Sequence, residues 1–123
     1  MKKILVADDE ANIRLLFDEL LSNEGYQVTA VGSGREALRK MIKDKYDLLI
    51  TDIKMPDING LELLERIREL GQGLPVIICT SFKHLQDDYT VATAGVFDYL
   101  TKPVNLEELK KKVRAALQEE AQP

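Results

Sequence analysis

The sequence predicts an α/β fold, a doubly wound (βα)5 three-layer sandwich around a parallel five-stranded sheet. Three observations lead there. Short runs rich in Leu, Ile and Val alternate five times with amphipathic stretches of helical spacing, and right-handed crossovers between such units put helices on both faces of a parallel sheet. The runs Ile4-Leu5-Val6-Ala7, Leu48-Leu49-Ile50-Thr51 and Val76-Ile77-Ile78-Cys79 are almost continuously apolar, as strands covered on both faces are. Four of the runs close on residues with acid, hydroxyl or amine chemistry: Asp8 and Asp9, Asp52, Thr80 and Lys102. In a parallel sheet all strand C-termini share one edge, so these distant residues converge there.

Each element has its own local signal. Strand β1 begins near Lys3. Helix α1 spans Ala11–Asn23, with Ile13, Leu16, Phe17 and Leu20 at the i, i+3, i+4, i+7 spacing of a buried stripe; Leu15 falls off that stripe and is expected at the surface. Gly25 stops the helix, and β2 begins near Gln27. Helix α2 spans Gly34–Lys43 and β3 begins near Asp47. Helix α3 spans Leu61–Leu70, with Gly71 and Gly73 as stops, and β4 begins near Pro75. Helix α4 spans Leu85–Ala94, ended by Gly95, and β5 begins near Phe97. Helix α5 spans Leu106–Glu119, with Asn105 as N-cap and Glu107 and Glu108 in the first turn, where the helix dipole favours acids.

Composition sets outer bounds. A chain of 123 residues, 45% hydrophobic and 31% charged, is the size of one ordinary globular domain. The single cysteine, Cys79, forms no intrachain disulfide and, inside an apolar strand, reads as a small hydrophobe. A net charge of −4 without a basic block argues against nucleic-acid binding by this chain. The apolar run after Met1-Lys2-Lys3 is too short for a signal peptide, and no stretch approaches a membrane span, so a cytoplasmic location is expected.

Asp8, Asp9 and Asp52 at one edge would repel one another, so a cation is expected among them. Carboxylates without histidine or thiol partners select hard ions, and Mg²⁺ is the expected cofactor. With Lys102 and Thr80 beside them, the set suits phosphoryl chemistry.

The ordered motifs Asp8-Asp9-Glu10, Asp52-Ile53-Lys54-Met55-Pro56-Asp57-Ile58-Asn59-Gly60, Thr80 and Asp98-Tyr99-Leu100-Thr101-Lys102-Pro103 resemble those of the response-regulator receiver domain, the CheY-like family, over essentially the whole chain. The resemblance implies the flavodoxin-like strand order 2-1-3-4-5, with residues 1–119 as the receiver domain and residues 120–123 as a polar tail. It implies that Asp52 is the phosphoacceptor, attacking a phosphoryl group on a partner's histidine. It assigns Mg²⁺ to Asp9, Asp52 and the backbone carbonyl of Lys54, with Asp8 acting through water, and gives the phosphoryl oxygens to Lys102 and Thr80. It also makes Lys102-Pro103 a cis peptide candidate.

By the same resemblance Thr80 and Tyr99 form a switch that remodels the α4-β5-α5 face on phosphorylation. The implied partners are a histidine kinase or histidine phosphotransfer protein, docking near α1, and a downstream protein target. The implied assembly is a monomer or a phosphorylation-dependent homodimer. The domain then assists its own modification and is not an enzyme acting on other substrates. Ser81, Val96 and Val104 depart from the usual family residues and bear on the output face. Lys54 and Phe82 flank the path of a hydrolytic water, and a lysine two residues after the acceptor is similar to single-domain sporulation-type phosphorelay receivers. His84, the only histidine, reads as a loop residue.

Other readings differ at single positions. The alternative within the family is the N-terminal receiver part of a larger, possibly DNA-binding, regulator. A haloacid-dehalogenase-like phosphatase needs an acid two residues after its nucleophile, where this chain has Lys54. A flavodoxin-like FMN protein needs a hydroxyl-rich phosphate loop where this chain has Asp8-Asp9-Glu10.

Overall fold

A computed structural model describes residues 1–81 and 95–119. Five strands, β1 Lys3–Ala7, β2 Gln27–Val31, β3 Leu48–Thr51, β4 Val76–Thr80 and β5 Asp98–Thr101, form one sheet in the order β2-β1-β3-β4-β5. Every neighbouring pair is parallel, with Ile4 opposite both Val28 and Leu48, Ile50 opposite Ile77 and Cys79 opposite Leu100. The expected doubly wound order is present. Strands β1 and β3 are neighbours although β2 lies between them in sequence, so the chain reverses direction across the sheet there.

The two-residue alternation of a strand sorts the core into two layers. Ile4, Val6, Leu48, Ile50, Ile77 and Cys79 face α1 and α5. Leu5, Ala7, Leu49, Val76 and Ile78 face α2 and α3. Because both faces are covered, these three strands are continuously apolar. Each fully buried leucine or isoleucine contributes roughly 1.5–3 kcal/mol.

The helix bounds follow their caps. Helix α2 is Gly34–Lys43, with the Ser33 hydroxyl accepting from the Glu36 amide at 3.2 Å. Helix α3 is Gly60–Glu69, one residue earlier than expected, because Asn59 is its N-cap and accepts from the Glu62 amide at 2.9 Å. Gly25 and Gly71 take positive φ after α1 and α3, whereas the expected stop Gly73 does not. Helix α5 is Leu106–Ala116, three residues shorter than expected. Gln118 takes a left-handed conformation (φ 57°), and the amides of Gln118 and Glu119 return to the carbonyls of Ala115 and Arg114. Those two bonds close the helix in the way a glycine usually does.

Helix α1, Ala11–Asn23, requires one correction. Leu15 is exposed as expected, at 68%, but Leu16 is 38% exposed and does not belong to the buried stripe. The stripe is Ile13, Phe17, Leu20 and Leu21, with Phe17 and Leu21 fully buried. The spacing i, i+4, i+7, i+8 serves a stripe as well as i, i+3, i+4, i+7; the seat of the helix on the sheet selects between them. The expected helix at 85–94, His84 and Phe82, and the tail 120–123 lie outside the described residues. Among the described residues no helix is long and apolar enough to cross a membrane.

Candidate functional site

The sheet ladder continues one residue beyond three of its strands, and this sets the site. The Asp8 amide donates to the Val31 carbonyl at 3.1 Å, the Asp52 amide to Ala7 at 2.9 Å and the Lys102 amide to Thr80 at 2.9 Å. Asp8 and Asp52 are thereby held abreast at the C-terminal edge where β1 and β3 meet, and Lys102 stands on the same edge at the end of β5. The Lys102-Pro103 peptide bond is cis, as expected.

The Lys102 ammonium lies 2.8 Å from Asp52 Oδ2, 2.9 Å from Asp8 Oδ2 and 3.3 Å from Glu10 Oε1. Asp8, Asp52 and Thr80 are buried, and the Lys102 side chain is only 11% exposed. The remaining carboxylate oxygens meet backbone donors: Asp8 Oδ1 accepts from the Glu10 amide at 2.9 Å, and Asp52 Oδ1 from the Ile53 amide at 2.6 Å. No buried side-chain nitrogen or oxygen among the described residues lacks a partner. Such saturation is what makes a charged cluster tolerable in a low-dielectric setting.

Burial pushes the Asp8 carboxyl above its usual range, against the opposing pull of the Glu10 amide and of Lys102. Burial alone would lower Lys102, but its hydrogen bonds to Asp52 and Asp8 outweigh that and raise it. The two directions agree physically: one ammonium serves two buried acids, so it is held charged while Asp8 receives only part of its compensation. Burial also pushes the Cys79 thiol up to about 12, which leaves it an unreactive core group.

One oxygen each from Asp8, Asp9, Glu10 and Asp52 lies within 4.8 Å of the others. Asp9 and Glu10 are exposed and form the open side of this set. Among the described residues, Asp9 makes no ion pair and no side-chain hydrogen bond, and the Lys54 carbonyl accepts none. An all-oxygen donor set with one solvent-facing side fits Mg²⁺, an ion that retains several waters. Mg²⁺ is the cofactor this acidic pocket takes.

The structure thus brings Asp8, Asp9, Asp52, Thr80 and Lys102 to one edge, with the Lys54 amide 3.4 Å from Asp52 Oδ1. Tyr99 stands apart from the acids, half-buried against the α2/α3 layer and beside a cavity of about 440 Å³ with Asp98, Asn105, Glu108 and Lys112. Burial, and secondarily Asp98, raises the Tyr99 phenol. Three participants escaped the sequence reading. Glu10 is a fourth carboxylate, legible only as a neighbour of the acid pair. Arg14 donates from Nη1 to the Asp8 carbonyl at 2.9 Å, and Asp57 reaches the start of α2; neither has a local sequence signal.

Comparison with known proteins agrees with this geometry. Residues 4–114 match the family described as the response regulator receiver domain. The transcriptional regulatory protein GlrR of Escherichia coli is 36% identical over 96% of this chain, which covers 27% of that protein. The response regulator ArlR of Staphylococcus haemolyticus is 36% identical over 99% of this chain and 55% of its own. The chain therefore spans between about a quarter and about a half of these curated relatives. Among solved structures, the response regulator TrrA from Thermotoga maritima in complex with Mg²⁺-BeF superposes with a TM-score of 0.87 at 43% identity, over 95% of this chain and all of that one. A CheY-like receiver domain protein from Methanospirillum hungatei gives 0.90 at 34% identity, over 96% of this chain and 94% of its own.

Proposed function

Because this chain belongs to the response regulator receiver domain family, we propose that its Asp52 accepts a phosphoryl group from a partner's histidine and that the acyl phosphate switches a binding face. The observation that carries the assignment is the Lys102 ammonium seated between Asp8 and Asp52 at 2.9 and 2.8 Å. It orients the acceptor and supplies positive charge where phosphoryl oxygens arrive.

An Asp52 carboxylate oxygen forms the new P–O bond as the P–N bond to the donor imidazole breaks. The Ile53 amide, 2.6 Å from Oδ1, limits rotation of the carboxylate, so its attacking direction is set before the donor docks. Lys102 follows the developing negative charge from carboxylate to phosphoryl group. Thr80, buried at the end of β4, provides a hydroxyl on the same edge. Asp9, Asp52 and the Lys54 carbonyl would hold Mg²⁺, with Asp8 acting through water, and the ion would supply further charge neutralisation.

Tyr99, half-buried on β5, is the second switch residue: movement of Thr80 toward the phosphoryl group opens space into which its ring turns. The partners are a histidine kinase or histidine phosphotransfer protein upstream and a protein target downstream. The setting is cytoplasmic, residues 1–119 form the receiver unit, and no activity on other substrates is assigned. Mass spectrometry after incubation with acetyl phosphate and Mg²⁺ tests the acceptor: wild type gains one phosphoryl group and Asp52→Asn gains none. Equal adduct in both would overturn the assignment.

A second reading has its own support. The chain covers only part of GlrR and ArlR, both named as regulators, which favours a receiver within a longer, possibly DNA-binding, protein. The first reading is a stand-alone receiver that shuttles phosphate or binds a partner when phosphorylated. Peptide mapping of the native gene product distinguishes them: peptides beyond residue 123 support the longer protein.

A further inference from the structure

We infer that Asp57 is a positioning residue for the metal, because its carboxylate ties the β3–α3 loop to the start of α2 and so fixes the Lys54 backbone, whose amide lies 3.4 Å from Asp52 Oδ1. This rests on the reading of Lys54 as a backbone ligand. The loop runs from Asp52 to Asn59, and both ends of it are clamped.

At the near end, the Gly60 amide donates to the Ile53 carbonyl at 2.8 Å, and a Cβ on Gly60 would stand 2.1 Å from the Asp52 carbonyl oxygen. At the far end, Asp57 Oδ1 accepts from the Gly34 amide at 3.0 Å and Oδ2 from the Arg35 amide at 3.2 Å, while Oδ1 also takes the Ile58 amide at 2.7 Å. The Gly34 and Arg35 amides open α2 and have no intrahelical acceptor; a carboxylate on them also meets the positive end of the helix dipole. Gly34 makes the approach possible. A Cβ there would lie 2.3 Å from Ile58 Cγ1 and 2.5 Å from the Ile58 carbonyl oxygen. Although burial acts to raise the Asp57 carboxyl, the amides of Ile58, Arg35 and Gly34 together hold it below its ordinary range.

Helix α2 has a cap of its own in Ser33, which takes the Glu36 amide. Asp57 is therefore not needed merely to begin the helix. What its bonds add is a fixed span between α2 and a loop that starts at the phosphoacceptor. Lys54 and Asp57 are three residues apart within that span, and loss of the far anchor frees the carbonyl to turn from the acids.

Calorimetric titration with Mg²⁺ on the full chain, combined with hydrogen exchange of the 53–58 amides, tests this. Asp57→Ala is expected to weaken Mg²⁺ binding about tenfold, the lower end of outer-shell effects on metal sites, and to speed loop exchange. Asp57→Asn keeps one acceptor oxygen and should fall between Ala and wild type, which also guards against misfolding of the Ala variant. Ser33→Ala, which weakens α2 directly, should leave Mg²⁺ affinity unchanged. Wild-type affinity in Asp57→Ala, or equal weakening in Ser33→Ala, overturns the proposal. The underlying metal site is judged separately by Asp9→Asn: if that variant binds Mg²⁺ normally, the site assignment fails, whatever Asp57 does.

Discussion

Asp8 and Asp9 are adjacent in sequence and identical in chemistry, yet they inhabit different regions of the molecule. Asp8 is buried with Asp52 around the Lys102 ammonium. Asp9 is exposed beside Glu10, outside the ion-pair network. The inner region shares one cation between two buried acids and is part of the fold; the outer region, where Asp9 forms no ion pair among the described residues, is open to an ion. The contrast separates two tasks that the acid cluster combines: holding the phosphoryl site in shape and admitting Mg²⁺.

Breaking the inner region should have the largest effect. Lys102→Met leaves Asp8 and Asp52 buried without their cation, and removing one partner of such a pair typically costs about 3–5 kcal/mol. Urea unfolding without Mg²⁺ should show that loss, and phosphoryl uptake should fall by roughly 10²–10³, as for other electrostatic stabilisers. An unchanged urea midpoint would erase the distinction between the regions.

Gly60→Ala strikes the frame of the inner region from behind. The methyl would stand 2.1 Å from the Asp52 carbonyl oxygen, and an overpacked contact of this kind costs about 1–3 kcal/mol. Thermal unfolding checks it; a variant as stable as wild type would show that the loop yields freely.

The outer region should behave in the opposite way. Asp9→Asn is expected to change stability by no more than about 0.5 kcal/mol, as a surface substitution without partners does. It should nevertheless weaken Mg²⁺ binding by about an order of magnitude, since ligand charge sets divalent affinity. A stability loss without an affinity loss would invert the assignment.

Asp8→Asn gives a smaller and pH-dependent effect. The folded Asp8 carboxyl lies above its unfolded value, so the folded state binds its proton more tightly. Its contribution to stability is therefore full below the usual aspartate range and is lost as pH rises through the folded value. Asparagine has no such proton to lose, so the variant should gain on wild type in metal-free buffer as pH rises over that window, and the gain should shrink when Mg²⁺ is added. Urea midpoints at several pH values measure it; a gain that grows toward acid would be the wrong sign.

The least effect concerns the rim. The Lys54 side chain is exposed two residues after the acceptor, and on the reading that it flanks the path of a hydrolytic water, Lys54→Ser should hasten loss of the phosphoryl group a few-fold. Decay followed by mass spectrometry would contradict this if unchanged or slower.

The strand ends were legible because an apolar run followed by an acid, hydroxyl or amine is a local pattern, and a parallel topology converts such ends into one edge. Asn105 was legible as a cap for the same reason, whereas Asn59 was read as part of a motif and its capping role emerged only with the backbone. Leu16 was misplaced because the sequence near it supports two overlapping stripes. Gln118 closes α5 in a conformation more typical of glycine, which no propensity announces.

By itself the sequence determined the layers, the strand ends and the set of residues that meet there, because these follow from local periodicity and from one topological rule. Tertiary structure alone decided which neighbouring acid is buried, that Arg14 holds the Asp8 carbonyl, and that Asp57 crosses to α2. Those outcomes depend on the seating of helices over the sheet and on hydrogen bonds between distant segments, for which the order of residues along one segment carries no signal.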